Sequence, residues 1–176
     1  MCEHMKTIKT KDFALRHPKA KDVDGYYETE TDPVSKKMFM SFPESLNEAE
    51  KDLQKHIKDN AKRPIVSETF SVIIDGAYAG YTKIQFQNFD SKSEEGRVHI
   101  AIHPRFRGKG LATKVIRTIT SYGFKRYRFK RIFAQCKLKN NAVARVIEKA
   151  GFRLEKIHTI DGVQKMWWVL ERKKGD

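Results

Sequence analysis

Residues 107–112 form a glycine-rich turn. Of all segments of the chain, this one has the residue types that most clearly indicate a chemical function. The segment, Arg-Gly-Lys-Gly-Leu-Ala, follows an apolar strand-like run, Val98 to Ile102, and opens a helix-like run, Leu111 to Phe124. Two glycines let the backbone approach an anion, and the free N–H groups of a helix's first turn would point at that anion. A plain strand-to-helix connection also favours glycine, so the turn by itself fits either phosphate binding or a simple connection.

A second motif follows about one strand later, at residues 140–152. It reads Asn-Asn-Ala-Val-Ala-Arg-Val-Ile-Glu-Lys-Ala-Gly-Phe, which predicts a helix with a glycine C-cap that leads into an aromatic strand. The two motifs, in this order and at this spacing, resemble the GCN5-related N-acetyltransferases (GNAT), and within them the ribosomal-protein type, RimJ/RimL. The resemblance covers Gly96 to Glu171 well and the first half of the chain more loosely, through residues 13–16, Asp22 and a helix that opens at Ser45.

The resemblance implies an α+β fold in a single domain, residues 1–176. It implies a central twisted mixed sheet of six to seven strands flanked by about four helices. In this family the fourth and fifth strands run parallel and splay apart, and the resemblance places them at Arg97 to Ile102 and Arg131 to Leu138. Coenzyme A lies in the resulting wedge. Residues 1–9 are predicted to be flexible or to add a strand, and residues 172–176 to form a tail.

Acetyl-CoA is therefore the expected cosubstrate, with pantetheine on the strand backbone and pyrophosphate on the glycine turn. Asn140 sits where the family places an asparagine near the pantetheine arm, although an N-cap role for Asn140 or Asn141 is compatible with this. No metal site is expected, since His99 and His103 lack a third partner in the sequence. The predicted cofactor contacts are Ile100, Ala101, Ile102, Arg107, Gly108, Lys109, Gly110, Leu111, Ala112, Thr113 and Asn140.

Acetyl transfer needs a deprotonated amine, a polarised thioester carbonyl and a proton donor for the leaving thiolate. A backbone N–H near Ala101 or Ile102 is the predicted oxyanion donor. The tyrosine that many GNAT enzymes place before the Gly-Phe pair is absent, and Val143 stands where RimJ/RimL-like members often carry serine. Water held near Asn140 is then predicted to protonate the thiolate, with Tyr122 and Cys136 as alternatives. Cys136 otherwise reads as a small buried hydrophobic residue.

His99 and Glu95 are the predicted candidates for the general base. Related sequences often carry a glutamate on this strand, where the present chain has Arg97. Both candidates lie on the polar side of the run, and a histidine needs little pKa tuning to act near neutrality. The competing interpretation makes each of them an ordinary solvent-facing strand residue.

Hydrophobic periodicity and turn signals predict the remaining elements. Ser45 and Glu48 form a capping-box pattern, and Asp75-Gly76 and Asp161-Gly162 favour two-residue hairpin turns. The predicted order is strand 12–16, helix 20–27, a loop containing Pro33, a helix from 45, strands 69–74, 77–86 and 97–102, helix 111–124, strand 131–138, helix 142–150, and strands 152–160 and 163–171.

Charge is the strongest feature of the composition. The 176 residues include 36 Lys and Arg against 22 Asp and Glu, a net charge of +14, which favours anionic partners such as coenzyme A. Residues 122–131 interleave basic and aromatic side chains, which suits either a nucleic-acid or ribosome contact or a solvated helix end with aromatics packed beneath. The sequence contains no long apolar run and no signal peptide, so we expect a cytoplasmic protein without membrane contact.

The sequence thus predicts an acetyl-CoA-dependent N-acetyltransferase, an acyltransferase that modifies a primary amine. A protein N-terminus is the acceptor suggested by the RimJ/RimL likeness. One alternative is a small-molecule amine: an amino sugar, an antibiotic or a polyamine, of which the polyamine fits a +14 chain worst. The other alternative is an inactive module of the same fold that binds coenzyme A or nucleic acid.

Overall fold

The computed structural model describes residues 7–38 and 41–173. Eight strands form one sheet in the order β1-β2-β3-β4-β5-β6-β8-β7. The strands are β1 (Ile8–Lys9), β2 (Ala14–Arg16), β3 (Ser67–Ile74), β4 (Ala77–Phe86), β5 (Glu95–Ile102), β6 (Arg131–Lys137), β7 (Arg153–Ile160) and β8 (Val163–Glu171). The helices are α1 (Val23–Thr31), α2 (Pro33–Met38), α3 (Leu46–Ala61), α4 (Leu111–Tyr127) and α5 (Asn141–Lys149). The predicted mixed α+β architecture is confirmed, with more strands and helices than expected.

Local sequence signals account for much of this order. Asp75 and Gly76, with φ of 48° and 81°, form the turn between β3 and β4, and Asp161 and Gly162, with φ of 49° and 74°, join β7 to β8. Positive φ at both central residues is typical of the type I′ turn, whose twist matches that of the paired strands. Ser45 Oγ accepts the backbone N–H of Glu48 at 3.2 Å and caps α3. Both hairpins and the cap are confirmed.

Between residues 20 and 38 the structure differs from the prediction. Pro33 begins α2 instead of lying in a loop, because proline suits the first helical position, where its missing N–H has no partner to lose. The helix predicted at 20–27 is a short 3-10 turn, Ala20–Asp22, followed by α1 to Thr31. Strand addition is one of the two alternatives predicted for residues 1–9, and residues 8–9 form β1, which pairs with β2 through Ile8 and Leu15. The predictions for residues 1–6 and 174–176 concern segments outside the described residues.

The two faces of the sheet are covered differently. Helices α4 and α5 cover one face with an apolar core in which Val115, Ile119 and Ile132 are fully buried. On the opposite face α1 and α3 pack over β3, β4 and β5, and Tyr26, Leu53, Tyr81 and Ala101 form a second buried cluster there. Side chains alternate between faces along each strand, so β5 presents Arg97, His99 and Ala101 to this second face.

The basic-aromatic segment at residues 122–131 forms the end of α4 and the turn after it. Phe124 and Phe129 are buried in the core, while Lys125 and Arg126 are exposed in the last helical turn. Tyr122 Oη donates to Glu68 Oε2 at 2.8 Å, and Tyr127 donates to the same carboxylate. This arrangement supports the helix-end interpretation, and it directs the Tyr122 hydroxyl to Glu68. None of the described helices has the length and apolar character needed to cross a membrane.

Candidate functional site

Strands β5 and β6 separate after a short stretch of parallel pairing. The paired residues run from Glu95 with Arg131 to Arg97 with Phe133, and β5 then continues to Ile102 and β6 to Lys137 without pairing to each other. The splay predicted between these strands is confirmed. A gap of this kind leaves backbone N–H and C=O groups available to a ligand that can pair like a strand.

A cavity of about 480 Å³ fills the gap and reaches both faces of the sheet. On the α4/α5 face it is lined by Ile116, Asn140 and Ile147, and on the α1/α3 face by Glu30 and His99. One continuous cavity therefore connects the two faces at the point where the strands part. Two substrates that enter from opposite sides of the sheet can meet there.

The glycine turn before α4 is an open cradle of backbone donors. Gly108 and Gly110 have φ of 79° and 74°, and a Cβ placed on either would meet no protein atom within 4 Å. Within the described residues, the N–H groups of residues 108–113 have no protein acceptor. Free N–H groups at a helix N-terminus, with open space in front of them, fit an anionic phosphate group.

Asn140 caps α5 at the edge of the cavity. Its Oδ1 accepts the backbone N–H of Val143 at 3.2 Å, and the residue is 9 % exposed. The predicted N-cap role is confirmed for Asn140. Cys136 also lines the cavity as a free, buried cysteine, and burial raises the pKa of its thiol.

A hydrogen-bonded chain of three side chains lies on the α1/α3 side of the cavity. Tyr81 Oη donates to Glu30 Oε1 at 2.8 Å and lies 3.1 Å from His99 Nε2. Because the single hydroxyl proton of Tyr81 goes to Glu30, His99 donates from Nε2 in this arrangement. Sequence reasoning identified His99 but missed Glu30 and Tyr81.

The sequence profile described as "Acetyltransferase (GNAT) domain" matches residues 12–153. The chain belongs to the GNAT acetyltransferase family. It is 28% identical over 150 residues to "Uncharacterized N-acetyltransferase YnaD" of Bacillus subtilis, which covers 84% of this chain and 83% of the relative. It is 30% identical over 101 residues to the spermidine N(1)-acetyltransferase of Escherichia coli, covering 57% of this chain and 50% of that protein.

Among solved structures, the fold is similar to RimL, a ribosomal-protein alpha-N-protein acetyltransferase, in complex with coenzyme A. The TM-score is 0.80 at 13% identity, and the match covers 94% of this chain and 98% of the other. At this identity the likeness concerns the fold alone. The protein is accordingly a GNAT N-acetyltransferase, and its acceptor is a separate question.

In this acetyltransferase, burial and nearby charges raise the pKa of Glu30 and lower the pKa of His99. Burial raises the pKa of Glu30 to about 7, opposed by the hydrogen bond from Tyr81 and reinforced by the negative charge of Asp52. Loss of bulk water inside the cavity and the positive charge of Lys83 lower the pKa of His99 to about 4. His99 is exposed to the cavity, where water reduces the size of this shift and not its direction. Near neutral pH His99 is thus uncharged, while Glu30 is the group that gains or loses a proton.

Two side chains that were predicted to act at the site form ion pairs: Glu95 with Arg131, and Arg107 with Asp32. Glu95 sits at the closed end of the β5–β6 pair, where its carboxylate bonds the Arg131 guanidinium, and it does not line the cavity. The Arg107 guanidinium does not add charge at the glycine turn, because it donates to both oxygens of Asp32 at 2.9 and 2.7 Å. That ion pair lowers the pKa of Asp32 to about 2 and ties the turn to the α1–α2 junction.

Lys109 is exposed at the turn, and its contact with the cofactor stays a prediction. The described residues contain no cluster of three or more His, Cys, Asp or Glu side chains arranged to hold a metal ion.

Replacing Glu30 by glutamine is expected to stabilise the protein at alkaline pH. An ordinary carboxyl loses its proton near pH 4.5, whereas folded Glu30 keeps it to about 7. Between these values the folded state binds more protons, so stability falls as pH rises. At about 1.4 kcal/mol per pH unit, Glu30→Gln should gain about 3 kcal/mol at pH 8.

Urea unfolding at pH 5 and pH 8 measures this effect. Most of the gain should be absent at pH 5, and Glu95→Gln, which alters a carboxylate outside the cavity, should show no such pH-dependent gain. A gain of equal size at both pH values would contradict the raised pKa.

Proposed function

We propose that this acetyltransferase transfers an acetyl group from acetyl-CoA directly to a primary amine in a ternary complex. The observation that carries the proposal is the continuous cavity, which opens to both faces of the sheet between β5 and β6. Coenzyme A enters from the α4/α5 face, where the glycine turn lies. The amine enters from the α1/α3 face, where His99 and Glu30 lie.

The coenzyme A side of the site uses mainly the backbone. The N–H groups of residues 108–113 bind the pyrophosphate, and the edge of β5 at Ile100, Ala101 and Ile102 pairs with the amides of pantetheine. An N–H at Ala101 or Ile102 stabilises the oxyanion that develops on the thioester carbonyl. Asn140 orders the pantetheine arm or a water molecule beneath it. Water beside Asn140 protonates the leaving thiolate, with the protonated Cys136 thiol in the same cavity as the alternative donor.

On the acceptor side of the site, the ammonium must lose a proton before its nitrogen can react. The ammonium gives a proton to Nδ1 of neutral His99, which passes its Nε2 proton through Tyr81 to Glu30. The nitrogen lone pair then forms the N–C bond, and the C–S bond breaks with its electron pair on sulfur. The nitrogen loses a second proton as the amide forms, and the thiolate gains one proton through water. Each transfer therefore yields the acetylated amine, the coenzyme A thiol and one proton released to solvent.

Glu30 stores the proton because its pKa of about 7 is well above the value of about 4 for His99. His99 therefore relays the proton to Glu30 and returns to its neutral form. This assignment replaces the expectation that His99 itself titrates near neutrality, and it removes Glu95 from the candidate bases. A general base with a pKa near the working pH contributes roughly 10²–10⁴-fold to the rate.

The favoured acceptor is the N-terminal amine of a protein or peptide, as in the RimL proteins that share the fold. Sequence similarity to spermidine N(1)-acetyltransferase over 57% of the chain makes a polyamine the second candidate. The cations Lys83, Arg97, Lys137 and Lys165 line the cavity and disfavour a polycation there. An amino sugar remains the third candidate.

Release of the coenzyme A thiol measures transfer to a panel of acceptors. Short peptides with free N-termini, N-acetylated copies of the same peptides, glucosamine and spermidine form the panel. We expect turnover with free N-termini and none with the blocked copies. Turnover of spermidine with no turnover of any peptide would overturn the proposed acceptor and leave the acetyltransfer intact.

A further inference from the structure

Arg97 is a half-buried cation without a carboxylate partner among the described residues. Two other half-buried arginines have carboxylate partners: Arg16 bonds Asp22, and Arg107 bonds Asp32. The Arg97 guanidinium instead donates from Nη2 to the neutral amide oxygen of Gln135 at 3.2 Å. A cation that gives up water without an ionic partner costs free energy, which an anionic ligand would offset.

The Arg97 guanidinium is held in place by an aromatic platform. Its central carbon lies 5.2 Å from the centre of the Trp167 ring, in the geometry of a cation–π contact. Trp167 is itself fixed by Phe133 at 5.3 Å and by His158 at 5.5 Å. His158 Nε2 also lies 3.0 Å from Gln135 Nε2, so the supports of Arg97 are connected to each other. The guanidinium is thus oriented before any ligand arrives, which lowers the entropic cost of binding.

The surroundings of Arg97 are positive, and the proton acceptor lies on the same side. Lys83, Lys137 and Lys165 line the same cavity, in which Glu30 is the one acidic residue among those described. Arg97 and His99 are two residues apart on one strand and face the same side, so their backbones are separated by about 7 Å. When an amine is bound at His99, an acceptor group roughly 7 Å from its nitrogen would therefore lie within reach of Arg97.

We propose that Arg97 binds an anionic group of the acetyl acceptor, so that preferred acceptors are amines that carry a carboxylate or phosphate roughly 7 Å from the nitrogen. This inference rests on the proposed function, because it assigns the acceptor side of the same cavity. Arginine suits the task, since its planar fork donates two hydrogen bonds to either anion. The carboxylate would come from an acidic residue near a peptide N-terminus, and the phosphate from a phosphorylated small amine.

Matched acceptor pairs test the inference through kcat/KM. The pairs are Ala-Glu and Ala-Gln peptides that are otherwise identical, and glucosamine 6-phosphate with glucosamine. We expect a preference of at least about tenfold for the anionic member of one pair, which identifies the source of the anion. Arg97→Gln should abolish the preference, Arg97→Lys should keep part of it, and Lys125→Gln on the exposed end of α4 should leave it unchanged. Equal kcat/KM within both pairs would overturn the inference.

A binding experiment separates this inference from the proposed reaction. The N-acetylated Ala-Glu peptide and glucosamine 6-phosphate are titrated into the coenzyme A-loaded protein, and tryptophan fluorescence reports contact near Trp167. We expect saturable binding of at least one probe, lost in Arg97→Gln while affinity for coenzyme A is retained. Binding without transfer to any amine would refute the proposed function and keep the anion site. If neither probe binds the wild-type protein, the anion site is wrong whatever the turnover.

Discussion

Replacing Gly110 by valine is expected to weaken coenzyme A binding by about 100-fold or more while the fold is retained. A Cβ at Gly110 would meet no protein atom within 4 Å, so the valine side chain would extend into the open space in front of the N–H groups of residues 108–113. Loss of two hydrogen bonds to a charged phosphate, at about 1.5–3 kcal/mol each, corresponds to a loss of this size. Titration calorimetry with coenzyme A measures it.

Gly162→Val is a closely matched control for this substitution. Gly162 has the same φ of 74° and the same empty surroundings, but it lies in the hairpin turn between β7 and β8. Both variants carry the strain of a branched residue at positive φ, so both should lose similar stability. Only Gly110→Val should lose affinity for coenzyme A. Unchanged affinity in a folded Gly110→Val protein would refute the phosphate-binding role of the turn.

Replacing Glu30 by glutamine is expected to lower kcat/KM by roughly 10²–10³-fold above pH 7. In the unchanged enzyme the rate should rise with pH through about 7, as Glu30 loses its proton and becomes able to accept one. The glutamine variant should lose this rise. The pH dependence of kcat/KM between pH 5.5 and 9, with one peptide acceptor, measures both effects.

Two companion variants test the order of the relay. His99→Ala should lower kcat but keep a rise with pH near 7, because Glu30 is still the titrating group. Glu95→Gln should change neither the rate nor the profile, since Glu95 bonds Arg131 outside the cavity. If Glu30→Gln kept the rise and lost less than about tenfold in rate, the enzyme would have no dedicated side-chain base and would depend on positioning.

In the proposed mechanism, the buried carboxyl of Glu30 lowers the stability of the folded protein and raises the activity of the enzyme. Its burial costs the folded protein stability at alkaline pH, and the same burial brings its pKa to about 7, where a base acts well. We therefore expect the glutamine variant to be both more stable and less active. Such an opposition is common at active sites, where a group is held in an unfavourable state for use in the reaction.

The sequence by itself determined the features that depend on neighbouring residues. The Asp-Gly hairpins, the Ser45 cap, the Asn140 cap and the glycine turn before α4 each follow from backbone preferences or hydrogen bonds within about four residues. The two family motifs predicted the order of β5, α4, β6 and α5, and with it the splayed strands between which the cavity lies. Even the error at Pro33 was local, since proline permits a helix start as well as a loop.

The tertiary structure alone decided which side chains meet at the cavity on the α1/α3 face. Tyr81 meets Glu30 from 51 positions away and His99 from 18, and Arg107 reaches Asp32 across 75. Contacts at such separations depend on how helices pack on the sheet, and no local pattern in the sequence reports them. Burial then set the pKa of Glu30, a quantity that belongs to the folded environment and not to the residue type. The same packing placed Glu95 at the closed end of the strands and left Arg97 facing the cavity without a carboxylate among the residues described.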